Sequence, residues 1–546
     1  MLPPKRGYPD LHDHIEALRK ADLLIQIDEP INKDTEMHPL VRWQFRGGID
    51  EANRKAFLFT NITDSLGRKY DIPVVIGALA TNPEIYKIGV GCELDRIGET
   101  WNHAIANPIK PNRVDNAPCH EVFKTGDDLI GKSNGLDGLP IPISTPGFDS
   151  APYLTATNVI TKDPETGIQN SGTYRAGLKA SDRMAVRMVV RPGGAEGYIH
   201  WKKWRDRGQP MPCAIVIGCP PAFNYMSPQK LKMGCDEIDV AGGLVGEPIN
   251  VTKAKTVDLD VPAESELVIE GLISTEYVEP EAPFGESAGY VALESYNMIF
   301  QVTAITRRKN AVIPSIISQV TPSESSVIKR LAYEPLYLTH LRDSLGIQGV
   351  IKVSLHEPLT NLRKVIFVQM ERGAASTEVW RALYGCTTLQ SNVGKFIIAI
   401  NDDIDPDNGD AVFWAMSYRC NPILDCHILE HRGHGQGPRV KRPIEDDSTL
   451  LIDATMKGPM PPLALPKKEY MEHAKDLWEK FGLPPLKPEN PWHGYTLGDW
   501  CDEWDEAAER AANGHYLKNG EISKQKMAKD IWPETPIRSN ELNQKG

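Results

Sequence analysis

Between residues 151 and 315 the chain reads as short β-rich runs, LTATNVITKD, RMAVRMVVR, PCAIVIGC, SELVIEGLIS and MIFQVTAITRR, parted by turn text such as KDPETG. Branched and aromatic residues that recur over a few positions between turn formers mark strands of an antiparallel sheet or barrel. A tract of this kind cannot be absorbed into a helical bundle, and it constrains the fold more than any other feature. The text on either side differs. LHDHIEALRKADLLIQIDEPI reads as an amphipathic helix followed by a strand; AFLFTNI (56–62) and DIPVVIGAL (71–79) read as strands, and 80–110 as helical. Pro- and Gly-rich NGLDGLPIPISTPGFD, 134–149, marks a boundary. After 320, helical SSVIKRLAYEPLYLTHLRDSLG precedes strands GVIKVSL and KVIFVQM. Helix STEVWRALYG, strand KFIIAIND and helix AVFWAMSYR follow, the alternation of an α/β layer. The last stretch, rich in Trp, Lys and Glu, reads as helices wrapping the body or a partner subunit.

A chain of 546 residues exceeds one hydrophobic core, so two to four domains are expected. No run of about 18 apolar residues occurs, and the N-terminal MLPPKRGYPDLHDH has no apolar stretch suited to a secretory signal; no membrane span is expected. The net charge of −12 disfavours a polyanion, so no nucleic-acid partner is expected. Nine cysteines lie at 92, 119, 213, 219, 235, 386, 420, 426 and 501 without a C-x-x-C pair, the usage of free thiols in a reducing cytoplasm.

Four segments are candidates for chemistry. In EAPFGE, Glu281 and Glu286 flank a turn in which Pro283 fixes φ and Gly285 admits conformations other residues avoid. Carboxylates held close, beside an apolar Phe284, have their pKa values pushed apart and can move protons near neutrality; the bland alternative is an exposed turn. In NSGTYR, Asn170 offers a hard oxygen ligand and Arg175 a guanidinium that clamps carboxylates; the alternative is an ordinary strand end. In CDEIDVAGGLVGEP, Glu237 leads a helix, either as a metal ligand or as an acid matched to the helix dipole, and GGLVG lacks a dinucleotide-binding frame. CHILEHRGHGQG, 426–437, carries Cys426, His427, His431 and His434 at spacings that match no standard zinc pattern, and reads as a glycine-rich loop near a ligand.

Taken in order, NSGTYR, RMVVRPGGA, CDEIDVAGGLVGEP, EGLISTEYVEPEAPFGESAGY, NDDIDP with WAMSYR, and LIDATMKGP resemble the UbiD-like family of reversible aromatic acid decarboxylases that use prenylated FMN. The resemblance runs from roughly residue 10 to 465. It implies an α/β fold with a central antiparallel β split-barrel that binds the flavin, flanked by N- and C-terminal α/β domains, plus a helical C-terminal extension. The corresponding boundaries are 1–125, 126–318, 319–465 and 466–546, the last a probable oligomer contact. It implies a catalytic trio of Arg175, Glu281 and Glu286, and flavin contacts at Thr173, Tyr174, Arg175, Arg187, Met188, Val189, Gly193 and Lys395. Asn170 and Glu237 correspond to ligands of a divalent metal; Ser227, the carbonyls of Met226 and Gln229, and Arg419 correspond to a K+ region. Where some members carry a metal-binding histidine this chain has Gly193, with His200 seven residues later. The metal then draws on Asn170, Glu237, phosphate oxygen and water, a hard oxygen set suited to Mn2+, Fe2+ or Mg2+.

Loss of CO2 from a ring carbon needs an electron sink that no side chain supplies, which is the role the resemblance gives to the flavin. Arg175 would hold the substrate carboxylate, Glu286 deliver the proton, and Glu281 tune Arg175, one acid staying protonated at rest. The substrate is a free aromatic acid or an aryl-CoA ring carboxylate. A flavin prenyltransferase would supply the cofactor, and a homo-oligomer, dimer or hexamer, is implied. Alternatives are a flavin oxidoreductase and an auxiliary subunit of a multi-component carboxylase; the latter would be expected to lose one of the three residues this chain keeps.

Overall fold

Leu11, Ile15 and Leu18 recur at helical spacing with His14 between them, and all four are buried on one face of the helix Leu11–Lys20. Asp10 starts that helix by accepting from the Asp13 amide while Asp13 accepts from the Asp10 amide, a reciprocal cap. The structure is a computed structural model that describes residues 5–188, 195–226, 229, 231, 234–360, 362–435 and 446–526. The chain forms two compact units. One takes the chain up to Tyr337 and returns for Leu355–Lys364 and again from His434; the other takes Leu338–Ser354, Val365–Gly433 and the chain from Asp446.

The first unit holds the β-rich tract. Among the described residues its large sheet has nine strands. Eight run side by side, in the order Gln169–Gly172, Thr157–Lys162, Met211–Ile217, Leu267–Glu281, Ser295–Arg307, Arg183–Val186, Ala176–Ala180, Tyr153–Leu154, and Val122–Thr125 pairs with Ser295–Arg307. The pairings of these neighbours are antiparallel. Among the described residues the two ends of the sheet do not pair with each other, so it is open. A smaller mixed sheet is built from Leu24–Ile27, Ala56–Phe59, Val74–Ile76 and Ile313–Ser315. Phe59, Val74 and Ile76 of the small sheet share one buried cluster with Val159, Ile215, Ile269 and Phe300 of the large one. Each such side chain contributes about 1.5–3 kcal/mol of burial.

Among the described residues three helices interrupt the β-rich tract, Glu196–Asp206, Pro221–Met226 and Glu237–Val245; the sequence pattern pointed to the last alone. Glu237–Val245 is capped by Asp236 and ended by Gly246 in the left-handed region. Its glycines let backbones meet: a Cβ on Gly242 would stand 2.6 Å from the Ile109 carbonyl, and one on Gly243 2.6 Å from those of Ala104 and Asn107. The close seating against the helix Ile97–Ala106 orients the first turn, and with it Glu237.

The second unit carries a five-stranded sheet in the order Val350–Leu355, Val365–Met370, Phe396–Asn401, Asp447–Asp453, Cys426–Arg432. Phe367, Ile398, Ile400 and Ile452 pack against Ala411, Val412 and Ala415 of the helix Gly409–Arg419. The segment Cys426–Arg432, read from sequence as part of a glycine-rich loop, is instead the edge strand, antiparallel to Asp447–Asp453. The glycines at its end misdirect the reading, because pairing with a neighbour decides the conformation of CHILEHR. His427 contacts Tyr384, and His431 pairs with Asp446. The helices Lys468–Lys480, Asp502–Ala512 and Tyr516–Gln525 follow, none with a fully buried residue. Among the described residues no helix is long and apolar enough to cross a membrane.

His14 donates through Nε2 to the Ala78 carbonyl at 2.6 Å, and Nε2 of His38 meets Ser315 Oγ at 2.9 Å. Burial pulls these imidazoles down to about 4 and about 3. The unfolded chain titrates them near 6.5, so it binds more protons below that value. Their contribution to stability is complete above about pH 6.5 and shrinks as pH falls. Moving from pH 7.5 to 5 is expected to remove on the order of 2 kcal/mol for each ring, measured as a lower denaturation midpoint. His14→Gln, which keeps a donor for Ala78, is expected to flatten that dependence.

Candidate active site

Five neighbouring strands of the large sheet bring one polar side chain each to a single place. Glu281 ends Leu267–Glu281, Asn297 lies near the start of Ser295–Arg307, Arg187 follows Arg183–Val186, Arg175 precedes Ala176–Ala180, and Tyr153 opens Tyr153–Leu154. Arg175 donates to Glu281 in a bidentate fashion, Nε to Oε1 at 2.8 Å and Nη2 to Oε2 at 2.9 Å. Its Nη1 donates to Glu286 Oε1, which also accepts from Arg187 Nη1 at 2.7 Å. Tyr153 Oη donates to Glu281 Oε1 at 3.0 Å and Asn297 Nδ2 to Oε2 at 3.2 Å. Burial alone would lower the Arg175 pKa; the two carboxylates outweigh it and hold the guanidinium above its ordinary value. The Arg175 and Glu281 side chains are 9% and 1% exposed, so the pair is sealed from water.

The turn between the acids is built differently from what its sequence suggests. The unusual backbone falls on Ala282, φ +80°, and not on Gly285. A left-handed alanine costs roughly 1–2 kcal/mol, and it turns the chain immediately after Glu281. Gly285 is needed for space: a Cβ there would stand 2.2 Å from Thr145 Oγ1, and its amide donates to Asp149 Oδ1 at 2.8 Å. Phe284 is buried, 4.2 Å from the Tyr153 ring, and its face covers the Arg175 guanidinium at 4.7 Å. The aromatic residue in the bend roofs the ion pair.

A second cluster lies on Gln169–Gly172 and the Glu237 helix. Asn170 is buried, and Glu237 Oε2 accepts from the Ser171 amide at 2.8 Å. Burial pushes the Glu237 carboxyl up to about 8. A buried carboxyl near an asparagine, whose amide oxygen is a hard ligand, fits a hard cation. The Met226 carbonyl accepts from the Gln229 amide at 2.8 Å, and among the described residues Gln229 Nε2 meets no acceptor. His200 is buried, its Nδ1 3.0 Å from Thr161 Oγ1, and burial lowers it to about 4. Its Nε2 stands 3.9 Å from Glu196, whose carboxyl burial raises and which accepts from the Gly234 amide.

Of the remaining sequence candidates, Thr173 is exposed, and burial raises the Tyr174 hydroxyl to about 12. A Cβ on Gly197 would meet both the Tyr174 ring, at 3.1 Å, and Met188 Sδ, at 3.2 Å. Val189, Gly193 and Ser227 lie outside the described residues. Lys395 and Arg419 belong to the second unit, where Lys395 pairs with Asp447 at 2.8 Å and Arg419 makes a buried two-point pair with Asp403. Sequence reasoning missed Tyr153 and Asn297. Asn297 stands opposite Glu279 in the ladder, a relation that only strand register reveals. Tyr153 lies 128 residues from its partner, with no local signal at all.

Residues 112–320 match the family model described as the 3-octaprenyl-4-hydroxybenzoate carboxy-lyase Rift-related domain, and residues 326–454 match the C-terminal domain of the same enzyme. The chain belongs to the UbiD family. Members of the family are carboxy-lyases that use prenylated FMN. The fold of this UbiD-family chain is similar to that of HmfF from Pelotomaculum thermopropionicum, solved in complex with FMN. The TM-score is 0.72 and the identity 26%, over 85% of this chain and 96% of that one. Vanillic acid decarboxylase from Sedimentibacter hydroxybenzoicus shares the fold at TM-score 0.70, with 23% identity over 87% of this chain and all of that one. An uncharacterised protein of Archaeoglobus fulgidus is 28% identical over 444 residues, 78% of this chain and 86% of its own.

Because Arg175 and Glu281 are both desolvated, removing either leaves an uncompensated buried charge. Arg175→Ala and Glu281→Ala are each expected to lower the unfolding free energy of the first unit by about 3–5 kcal/mol, read from denaturant midpoints.

Proposed function

We propose that this chain removes CO2 from, or in the reverse direction adds it to, an aromatic ring carbon, with Arg175 holding the carboxylate and Glu286 moving the proton. The observation that carries the reading is the donor and acceptor inventory of the trio. A guanidinium has five N–H donors; three of those on Arg175 go to Glu281 and Glu286. Two remain for a substrate carboxylate. Glu281, gripped at both oxygens by Arg175, Tyr153 and Asn297, is a positioning residue. Glu286 is different: both guanidinium contacts fall on Oε1, and among the described residues no hydrogen bond reaches Oε2. That oxygen is available to a substrate carbon. Phe284 and Tyr153 cover the pair, which keeps bulk water from competing as a proton source.

Prenylated FMN, when bound, supplies the electron sink that decarboxylation at a ring carbon requires. The flavin reading extends to Thr173, Tyr174, Arg187 and Met188 as its neighbours, with the open nine-stranded sheet as the platform expected as a split barrel. Asn170 and Glu237 would hold the divalent cation, Mn2+, Fe2+ or Mg2+, and the carbonyls of Met226 and Gln229 a K+ ion. A flavin prenyltransferase is the expected supplier of the cofactor. A homo-oligomer, a dimer or hexamer, with the helices after Lys468 at its contacts, completes the proposal.

The test is to co-produce the chain with a flavin prenyltransferase, identify the bound flavin by absorbance and mass, and follow exchange of labelled CO2 into aromatic acids and aryl-CoA ring carboxylates. Absence of exchange from a flavin-loaded enzyme across both classes overturns the reading. Glu286→Gln is expected to retain flavin and lose about 10²–10⁴-fold in kcat; full turnover excludes the donor role. Glu237→Gln is expected to weaken Mn2+ binding at least about tenfold, measured as free Mn2+ by electron paramagnetic resonance. Unchanged affinity removes Glu237 from the metal site.

A further inference from the structure

Glu286 is gripped at its far end. Arg175 and Arg187 both donate to Oε1, which fixes that oxygen and lets the carboxyl swing about it. Oε2 therefore stands in one place only if the backbone that carries Glu286 is fixed as well. That backbone belongs to a small hairpin. Phe284–Gly285 pairs antiparallel with Val291–Ala292. The Glu286 amide donates to the Tyr290 carbonyl at 3.1 Å, and the Gly289 amide to the Glu286 carbonyl at 3.0 Å. These bonds close the hairpin on itself and do not anchor it to the large sheet.

The anchor comes from the segment 145–153. Among the described residues three hydrogen bonds join it to the acid turn. Asp149 Oδ1 accepts from the Gly285 amide at 2.8 Å, the Ser150 amide donates to the Pro283 carbonyl at 3.1 Å, and Tyr153 Oη accepts from the Ala282 amide at 3.3 Å. The Asp149 bond is the one beside Glu286. Asp149 also closes its own loop: Oδ2 accepts from the Thr145 amide at 2.7 Å, and its amide donates to the Thr145 carbonyl at 3.0 Å. The segment is fastened in turn to the strand that follows Arg175. Tyr153 lies opposite Gly177, and the Leu178 amide donates to the Pro152 carbonyl at 3.1 Å. A closed circuit results. It runs from Arg175 along its strand to Tyr153, back to Asp149, across to Gly285, and through Glu286 to Arg175 again.

The circuit needs a carboxylate at 149. Each oxygen of Asp149 takes one backbone amide, whereas an asparagine has a single acceptor oxygen and would turn its NH2 toward the other N–H. Burial raises the Asp149 pKa, and both amides oppose it by favouring the charged form. We propose that Asp149 is a positioning residue: by holding the Gly285 amide it sets where Glu286 presents Oε2 to the substrate carbon. What Glu286 does there rests on the decarboxylase reading; that Asp149 holds the turn does not.

Amide hydrogen exchange of flavin-loaded enzyme, read by mass spectrometry with fragmentation to single residues, measures the hold directly. The wild-type Gly285 amide is expected to be protected at least about a hundredfold relative to an exposed amide, and Asp149→Ala to abolish that protection. Exchange of labelled CO2 into the acid that wild type turns over measures the consequence. Asp149→Ala is expected to lower kcat per bound flavin about 10–100-fold, with KM and flavin content kept within about twofold. Asp149→Asn, which keeps one acceptor, is expected to fall between. In a Glu286→Gln background, Asp149→Ala is expected to lower kcat no more than about twofold further, because it acts through Glu286. An unprotected Gly285 in wild type overturns the proposal without any variant having to fold. So does an unchanged kcat per flavin in Asp149→Ala, a loss confined to KM, or a loss in the double variant that multiplies in full. No label exchange by flavin-loaded wild type, or full turnover by Glu286→Gln, sinks the decarboxylase reading, while Gly285 protection still decides whether Asp149 holds the turn.

Discussion

The site depends on one desolvated ion pair. Arg175 and Glu281 meet at two points in a place closed to water, and every neighbour serves that contact. A buried pair of this kind gives little net stability, because the Coulomb gain is largely spent on stripping water from both ions. What it secures is geometry. A bidentate guanidinium–carboxylate contact fixes distance and plane together, so the donors of Arg175 not used by Glu281 point in a defined direction. Tyr153 and Asn297 hold the far side of Glu281, and Phe284 covers the guanidinium.

Glu281 and Glu286 are five residues apart and have opposite surroundings. Glu281 is saturated with donors from three sides and is 1% exposed; the Glu286 side chain is 17% exposed and is held by guanidinium groups at one oxygen. The left-handed Ala282 separates these environments by reversing the chain between them. Two identical side chains thereby have different surroundings, which is the division a proton-transfer site needs. Arg175 and Arg187 both reach the second of these acids, at the same oxygen.

Local patterning carried much of the secondary structure. The helix Leu11–Lys20, the alternation after 320 and the strands of the β-rich tract all follow from apolar period and turn chemistry. The reading failed where contact outweighed propensity. CHILEHR lies as a strand because a neighbouring strand pairs with it, although its glycine-rich flank reads as loop. In the acid turn, the glycine expected to bend the chain is instead a spacer beside Thr145, and the bend falls on an alanine. No propensity scale foresees a left-handed alanine, since its cost is met by tertiary contacts such as the Tyr153 hydroxyl on the Ala282 amide.

The amino-acid sequence by itself determined the inventory: an arginine and two glutamates in family motifs, an asparagine and a glutamate with hard oxygen atoms, and enough alternating β text to build a large antiparallel sheet. Only the tertiary structure decided which of these meet and which are already spent. Strand order set Tyr153, Arg175, Arg187, Asn297 and Glu281 on or beside five adjacent strands, though Tyr153 and Glu281 lie 128 residues apart in the chain. The reason is physical: pairing, burial and desolvation are properties of neighbours in space, and hydrogen-bond register between distant strands is written in no local pattern.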